Sequence, residues 1–272
     1  MDERDARMLS ARAGRPLAAL VGAVLVATVL AACAPPLTPA PGPAPAPTPA
    51  ATAPPATPAP SPAAPVPTPS VAPAPPSGEP PLATDAAAES LLVDVRRVDS
   101  TVAVELRYAT PYNFTGAVLP GYQAPHALLR REAALALARV QERLRAEGLG
   151  LKIFDAYRPV RATDAMVEWT RRVRREDLLR DGYIAEKSRH NLGLAVDLTL
   201  VELASGKELR MGTAFDTFAP SAHTANATGV AAENRRRLKR AMEAEGFTNL
   251  PEEWWHFSYA VPDPLRFDLV IR

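Results

Sequence analysis

A single cysteine, Cys33, in 272 residues excludes any disulfide within the chain. Packing and bound metal are then the remaining means of holding a fold together. Histidine is scarce as well, with four residues in all: His126, His190, His223 and His256. A surplus of one charge is also missing. The 31 basic and 30 acidic side chains give a formal net charge of +1, and residues 1–32 carry four arginines and three acids, so 27 bases face 27 acids in the rest. That balance excludes a broad basic face for nucleic acid. No internal repeat is present, and nothing in the sequence points to an obligate protein partner.

Proline is abundant but confined. Of 30 prolines, 21 lie between Pro35 and Pro81, in a stretch almost wholly of Pro, Ala, Thr, Ser and Val whose one charge is Glu79. Such a composition cannot bury enough apolar surface to offset the entropy of ordering, and proline keeps it extended. Residues 33–82 therefore read as Cys33 followed by a disordered linker, able to reach about 150 Å in the polyproline II form. Residues 83–272 are enough for one compact domain with a full core.

The N-terminus gives the linker a purpose. Arg4, Arg7, Arg12 and Arg15 precede the apolar run LAALVGAVLVATVLAAC, Leu17 to Cys33. A basic head, an apolar middle and small residues before a cut site describe a secretory signal over residues 1–32. Its end, Leu30-Ala31-Ala32-Cys33, resembles the lipobox of bacterial lipoproteins. The resemblance implies cleavage before Cys33 and lipidation of its thiol and amine. The plainer reading is a membrane anchor, since 17 apolar residues nearly cross a bilayer. Either way the domain is expected outside the cytoplasmic membrane, tethered to it. Ala34 follows the cysteine where an inner-membrane retention signal would place aspartate, which favours the periplasmic side of an outer membrane where the cell has one.

Within the domain, LLVDVRRV (91–98) and TVAVELRY (101–108) read as a hairpin around Asp99-Ser100, and 109–125 as a loop. Helical spacing runs from Leu128 to a stop at Gly148. LKIFDAY is a short strand, and a helix is expected from Ala162 to Leu179. Gly193–Leu203 is a strand, Ser205-Gly206 a turn and KELRMG (207–212) a returning strand. A helix from Ala231 to Glu245 and a final strand WWHFSYA (254–260) complete the reading. Hairpins and helices interleave without a βαβ series, so the expected class is α+β, an antiparallel sheet with packed helices.

One short stretch carries a contradiction. SRHNLGLAVDLTL (188–200) alternates like a core strand, yet Asp197 sits in its middle, seven residues after His190. Gly193 lets the chain turn between the two, so a loop-borne His190 can stand beside a strand-borne Asp197. PEEWWHFSY supplies Glu253 and His256. Two histidines and one carboxylate suffice for a catalytic zinc site with an open fourth position, and a nearby glutamate can serve as general base. Each part alone has a blander reading: a hydrogen-bonded histidine, a turn-capping aspartate, an aromatic core strand.

S-x-H-x-x-G-x-A-x-D at 188–197 with E-W-W-H-F at 253–257 resembles the zinc D-alanyl-D-alanine dipeptidases of the VanX type. RYATPYNFTG (107–116), DAYRPVRA (155–162) and MGTAFDTF (211–218) are similar to the same family, in its order. The resemblance implies that His190, Asp197 and His256 hold one zinc ion and that Glu253, not Glu252, is the base. It implies that Arg158 stabilises charge on the carbonyl oxygen, with Ser188 and Asp216 holding the substrate's ends. The blander alternative for Arg158 is an ion pair with Asp155. Zinc itself is inherited from the family, since this donor set would accept several divalent ions.

The expected reaction is therefore hydrolysis of D-Ala-D-Ala, or of similar D,D-dipeptides, in peptidoglycan turnover. A related D,D-carboxypeptidase trimming longer muropeptides is the first alternative. A non-catalytic wall-binding lipoprotein is the second, and it would be expected to lack Glu253 or a metal ligand.

Overall fold

A computed structural model describes residues 78–272. The signal, Cys33 and the linker up to residue 77 lie outside the described residues. Among those described, no helix is long and apolar enough to cross a membrane.

The elements follow from local chemistry. Thr84 caps α1 (Asp85–Leu91) by accepting from the Ala87 amide. β1 (Leu92–Asp94) then runs into α2 (Val95–Val98), whose start is fixed by the Asp94 carboxylate accepting from the Arg96 amide at 3.0 Å. β2 (Ala103–Val104) and β3 (Leu128–Arg130) are short. α3 (Arg131–Arg145) buries Ala133, Ala136, Leu137, Val140 and Leu144 at helical spacing, and Gly148, at φ 70°, turns the chain into β4 (Leu149–Asp155). α4 (Val160–Arg172) and α5 (Asp177–Arg180) follow, then β5 (Ala195–Glu202), α6 (Gly229–Glu243), β6 (Thr248–Asn249) and β7 (His256–Ser258).

The main sheet runs β2-β4-β5-β7-β6, and β1 pairs with β3 separately. β4, β5, β7 and β6 are mutually antiparallel, while β2 joins β4 in parallel. The α+β class is as expected. α3 packs against β4, and Glu245 ties α3 to the end of α6 by accepting from Arg139 at 2.6 Å and from Arg143. β5 is buried along both faces to Val201, so its alternating pattern does not mark a solvent side.

Three local expectations are corrected. Residues 91–108 do not form a hairpin: the capping Asp94 starts a helix where the second half of a strand was expected, and β1 and β2 pair with β3 and β4 instead. The returning strand at 207–212 reduces to one bridge, Val201 to Glu208. The helix expected at 162–179 breaks, with Arg174 at φ 59° between α4 and α5.

Gln141 joins these parts from inside α3. Fully buried, it accepts from the Leu151 amide at 2.8 Å and donates to Thr101 Oγ1 at 3.1 Å, linking helix, β4 and the turn before β2. Gln141→Ala leaves the Leu151 N–H without its partner, and an orphaned buried donor costs about 1–3 kcal/mol. Urea unfolding of the isolated domain should show that loss with an unchanged m-value.

Candidate metal centre

Strand register assembles the centre. Asp155 of β4 lies opposite Asp197 of β5, which lies opposite His256 of β7, so the three side chains stand in a row across the sheet. His190 arrives from a helical turn, Arg189–Leu192. Ser188 Oγ accepts from the His190 amide at 3.2 Å, and Asn191 Oδ1 accepts from the Ser188 amide at 3.3 Å. Gly193, at φ 63°, closes that turn. A Cβ there would lie 2.4 Å from Leu92 Cδ2 and 3.2 Å from the Arg130 nitrogen, so only glycine fits both conformation and space. Asn249 secures the last segment by donating to the carbonyls of Glu253 (3.1 Å) and His256 (3.0 Å).

The three expected ligands converge. One donor atom from each of His190, Asp197 and His256 lies within 4.8 Å of the others. His190 Nδ1 is 2.6 Å from the Ala156 carbonyl, which can only accept, so Nδ1 carries a proton and Nε2 is the nitrogen presented inward. That Nε2 is 3.2 Å from His256 Nδ1 and 3.3 Å from Asp197 Oδ2, and His256 Nδ1 is 3.0 Å from Asp197 Oδ1. Two imidazole nitrogens and a carboxylate facing one another are a donor set that fits a divalent cation such as zinc.

Arg158 makes the ion pair with Asp155 that was the alternative reading for it. Its Nη2 is 2.9 Å from Asp155 Oδ2, and the same nitrogen stands 3.8 Å from Asp197 Oδ2. Its guanidinium also lies over the Tyr108 ring, 5.0 Å from the centroid. Burial disfavours its charge, but Asp155, Tyr108 and their neighbours outweigh that and hold its pKa above the ordinary value. Asp197 is similar in the opposite sense. Burial alone would raise its pKa, yet His190 and His256 overcome burial and keep the carboxyl well below the usual range.

Glu253 and Asp216 behave differently. Burial, with the Asp197 charge added, pushes the Glu253 carboxyl up to about 8, and its Oε2 is 3.8 Å from His256 Nδ1. Asp216 is raised by burial and by the charges of Asp197 and Glu253. It sits at φ 57°, in the left-handed region that aspartate tolerates, and both its oxygens accept from the Tyr108 hydroxyl at 3.1 Å. All seven expected residues (Arg158, Ser188, His190, Asp197, Asp216, Glu253 and His256) line one cavity of about 200 Å³. His126 and His223 lie apart, beside Asp94 and Tyr183.

Sequence reasoning missed two members. Tyr108 comes from RYATPYNFTG and reaches both Arg158 and Asp216. Asp155 was weighed only as a competitor for Arg158, yet it also accepts from Tyr122 at 2.6 Å. Both fall inside the quoted motifs, so the motifs themselves held the signal.

Comparison with known proteins agrees with this geometry. The model of a family described as D-ala-D-ala dipeptidase, Peptidase_M15, matches residues 88–265. A D-alanyl-D-alanine dipeptidase of Enterococcus faecalis is 37% identical over 168 residues, covering 56% of this chain and 83% of its own. One from Enterococcus faecium is 36% identical over 169 residues, with 56% and 83% covered. Among solved structures, the LD-carboxypeptidase LdcB matches with 20% identity and a TM-score of 0.34, over 48% of this chain and 59% of that one.

Asp155 is fully buried between Arg158 and Tyr122. Asp155→Ala strands the guanidinium without its nearest counter-charge, and breaking a buried pair this way costs about 3–5 kcal/mol. Chemical denaturation of the purified domain checks that figure. An effect below 1 kcal/mol would mean that Asp197 alone neutralises Arg158.

Proposed function

This chain belongs to the D-Ala-D-Ala dipeptidase family, and from that membership we propose that it is a zinc metallopeptidase that hydrolyses D-Ala-D-Ala, or a similar D,D-dipeptide, to free D-amino acids. The observation that carries the reading is the convergence of His190, Asp197 and His256 on one point of a cavity that also holds Glu253 and Arg158. His190 Nε2, His256 Nδ1 and the Asp197 carboxylate would hold one zinc ion. When bound, the ion supplies a Lewis acid and lowers the pKa of a water toward neutrality.

The chain's own groups do the rest. Glu253 takes a proton from the attacking water on its carboxylate and returns it to the leaving amine, so water adds across the peptide bond without net proton change. Arg158 faces the carbonyl oxygen with a charge that stays fixed through the reaction, as stabilising a developing oxyanion requires. Asp155 holds that guanidinium in place. Asp216 and Ser188, which line the same cavity, hold the substrate's two ends.

The same proposal extends to the N-terminus. Residues 1–32 direct export, Cys33 carries lipid, and the proline-rich residues that follow tether the enzyme outside the cytoplasmic membrane, up to Glu79, where contacts with Arg266 begin the folded domain. An enzyme held there acts on D,D-dipeptides released from the wall, in turnover or D-alanine recovery.

Three experiments test these readings. Zinc-loaded protein should release alanine from D-Ala-D-Ala, and Glu253→Ala should lower kcat by about 10²–10⁴-fold, the usual range for losing a general acid–base group. Zinc should also raise the thermal midpoint of the wild type, and His256→Ala should abolish that rise. Preferential cleavage of an N-acylated peptide ending in D-Ala-D-Ala would reassign the enzyme to the carboxypeptidases, and cleavage of neither substrate would overturn the reading. Separately, Cys33→Ser should move the protein from the membrane fraction to the soluble fraction of expressing cells. Retention in the membrane would assign anchoring to the apolar run instead.

A further inference from the structure

A second cavity of about 200 Å³ adjoins the first, and the reaction described above makes no use of it. The segment from Lys187 to Arg189 forms a wall of both. Opposite stands the start of the described chain, fastened to Arg266. The Arg266 Nη1 is 2.7 Å from the Glu79 carboxylate, its Nε donates to the Pro80 carbonyl at 2.8 Å, and the backbones of Arg266, Pro81 and Ala83 exchange hydrogen bonds of 2.9 Å. Glu79 and Pro80, held by these bonds, are thus a built wall of this cleft.

The two cavities are balanced differently. The catalytic one sets Asp197, Asp216 and Glu253 against Arg158, Lys187 and Arg189. The adjoining cleft holds Lys187, Arg189 and Arg266 against Glu79 alone, and Glu79 is already matched to Arg266. Arg189 is oriented by a neutral partner, donating to the Tyr259 carbonyl at 3.0 Å, so its charge is not consumed. Among the described residues, neither Lys187 nor Arg189 forms an ion pair. Ser188 lines both the catalytic cavity and this cationic cleft.

An alanyl side chain makes no use of that surplus, whereas a carboxylate on a short aliphatic stem does. We propose that the cleft is a second subsite that takes the acidic side chain of a D,D-dipeptide, on whichever of its residues seats against Ser188. The inference rests on the dipeptidase reading and widens its substrate class to acidic dipeptides. The glutamyl and glutaminyl pair is the sharp probe, because the two side chains share size and shape and differ in charge.

The test uses the zinc-loaded full chain. Hydrolysis of D-Ala-D-Glu is compared with D-Ala-D-Gln, and of D-Glu-D-Ala with D-Gln-D-Ala, with D-Ala-D-Ala as reference. In one of the two pairs the acidic member should be favoured in kcat/KM by about fivefold, the scale of a solvent-exposed ion pair. Lys187→Gln should shrink that preference, Glu79→Gln should enlarge it, and Lys187→Arg should keep it. Raising the salt should weaken it, which a merely structural role of Lys187 would not produce. If D-Ala-D-Ala is hydrolysed but neither pair discriminates, or if Lys187→Gln leaves the preference intact, the subsite is overturned and the dipeptidase reading stands. If D-Ala-D-Ala is not hydrolysed, both fall together.

Discussion

Two carboxylates and an imidazole set side by side across three strands are the constraint on which the rest of this domain depends. The register puts Asp155, Asp197 and His256 in one row, with both carboxylates almost fully buried. Burying ionised groups is costly unless opposite charge is near. Every neighbouring element answers that need. DAYRP returns Arg158 to Asp155 three residues later, the Ser188–Gly193 turn brings His190 to Asp197, and Tyr122 donates to Asp155 from the far loop. The centre is therefore a condition of folding here as well as of chemistry.

The site was more legible in the sequence than the strands that carry its periphery. His190, Asp197, His256 and Glu253 were visible because an apolar run with one carboxylate is anomalous, and because the chain has so few histidines. The long elements α3, β4, β5 and α6 were visible through periodicity and glycine stops. The 91–108 region was not, because its apolar alternation is compatible with a hairpin. The deciding fact was one side-chain bond, the Asp94 cap on the Arg96 amide, together with partners far away in sequence. Short strands of two or three residues carry too little pattern to name their partners, and that choice was made by tertiary packing. Tyr108 escaped for a related reason: its role depends on where its ring and hydroxyl end up, between Arg158 and Asp216.

The turn at Ser188 shows how one local motif serves several ends. Its cap fixes the His190 backbone, its closing glycine admits the close approach of Leu92 and Arg130, and Lys187 and Arg189 beside it line a second cavity as well as the first. That second cavity is also lined by residues whose composition reads as linker, Glu79 and Pro80. Proline has no amide hydrogen to donate but keeps its carbonyl, and here Pro80 and Pro81 act as acceptors for Arg266. A proline-rich segment can thus edge a folded domain without forming a strand.

The two carboxyls proposed for chemistry, Asp197 and Glu253, share a cavity yet are pushed in opposite directions. Burial acts on both. At Asp197 it is overcome by His190 and His256, which sit within 3.0 to 3.3 Å of its oxygens, and the carboxyl stays ionised. At Glu253 the histidine contact is longer. His256 Nδ1 is 3.8 Å away, and the Asp197 charge adds to burial in lifting it to about 8. Neighbouring acids driven apart in this way are suited to different tasks: one stays a permanent anion, the other can hold and release a proton near neutrality. A cation seated among the three donors would draw both values down, but it would stand closest to Asp197, so the order of the two would be kept. These surroundings support the proposed roles of ligand for Asp197 and of proton carrier for Glu253, as their places in the motif do.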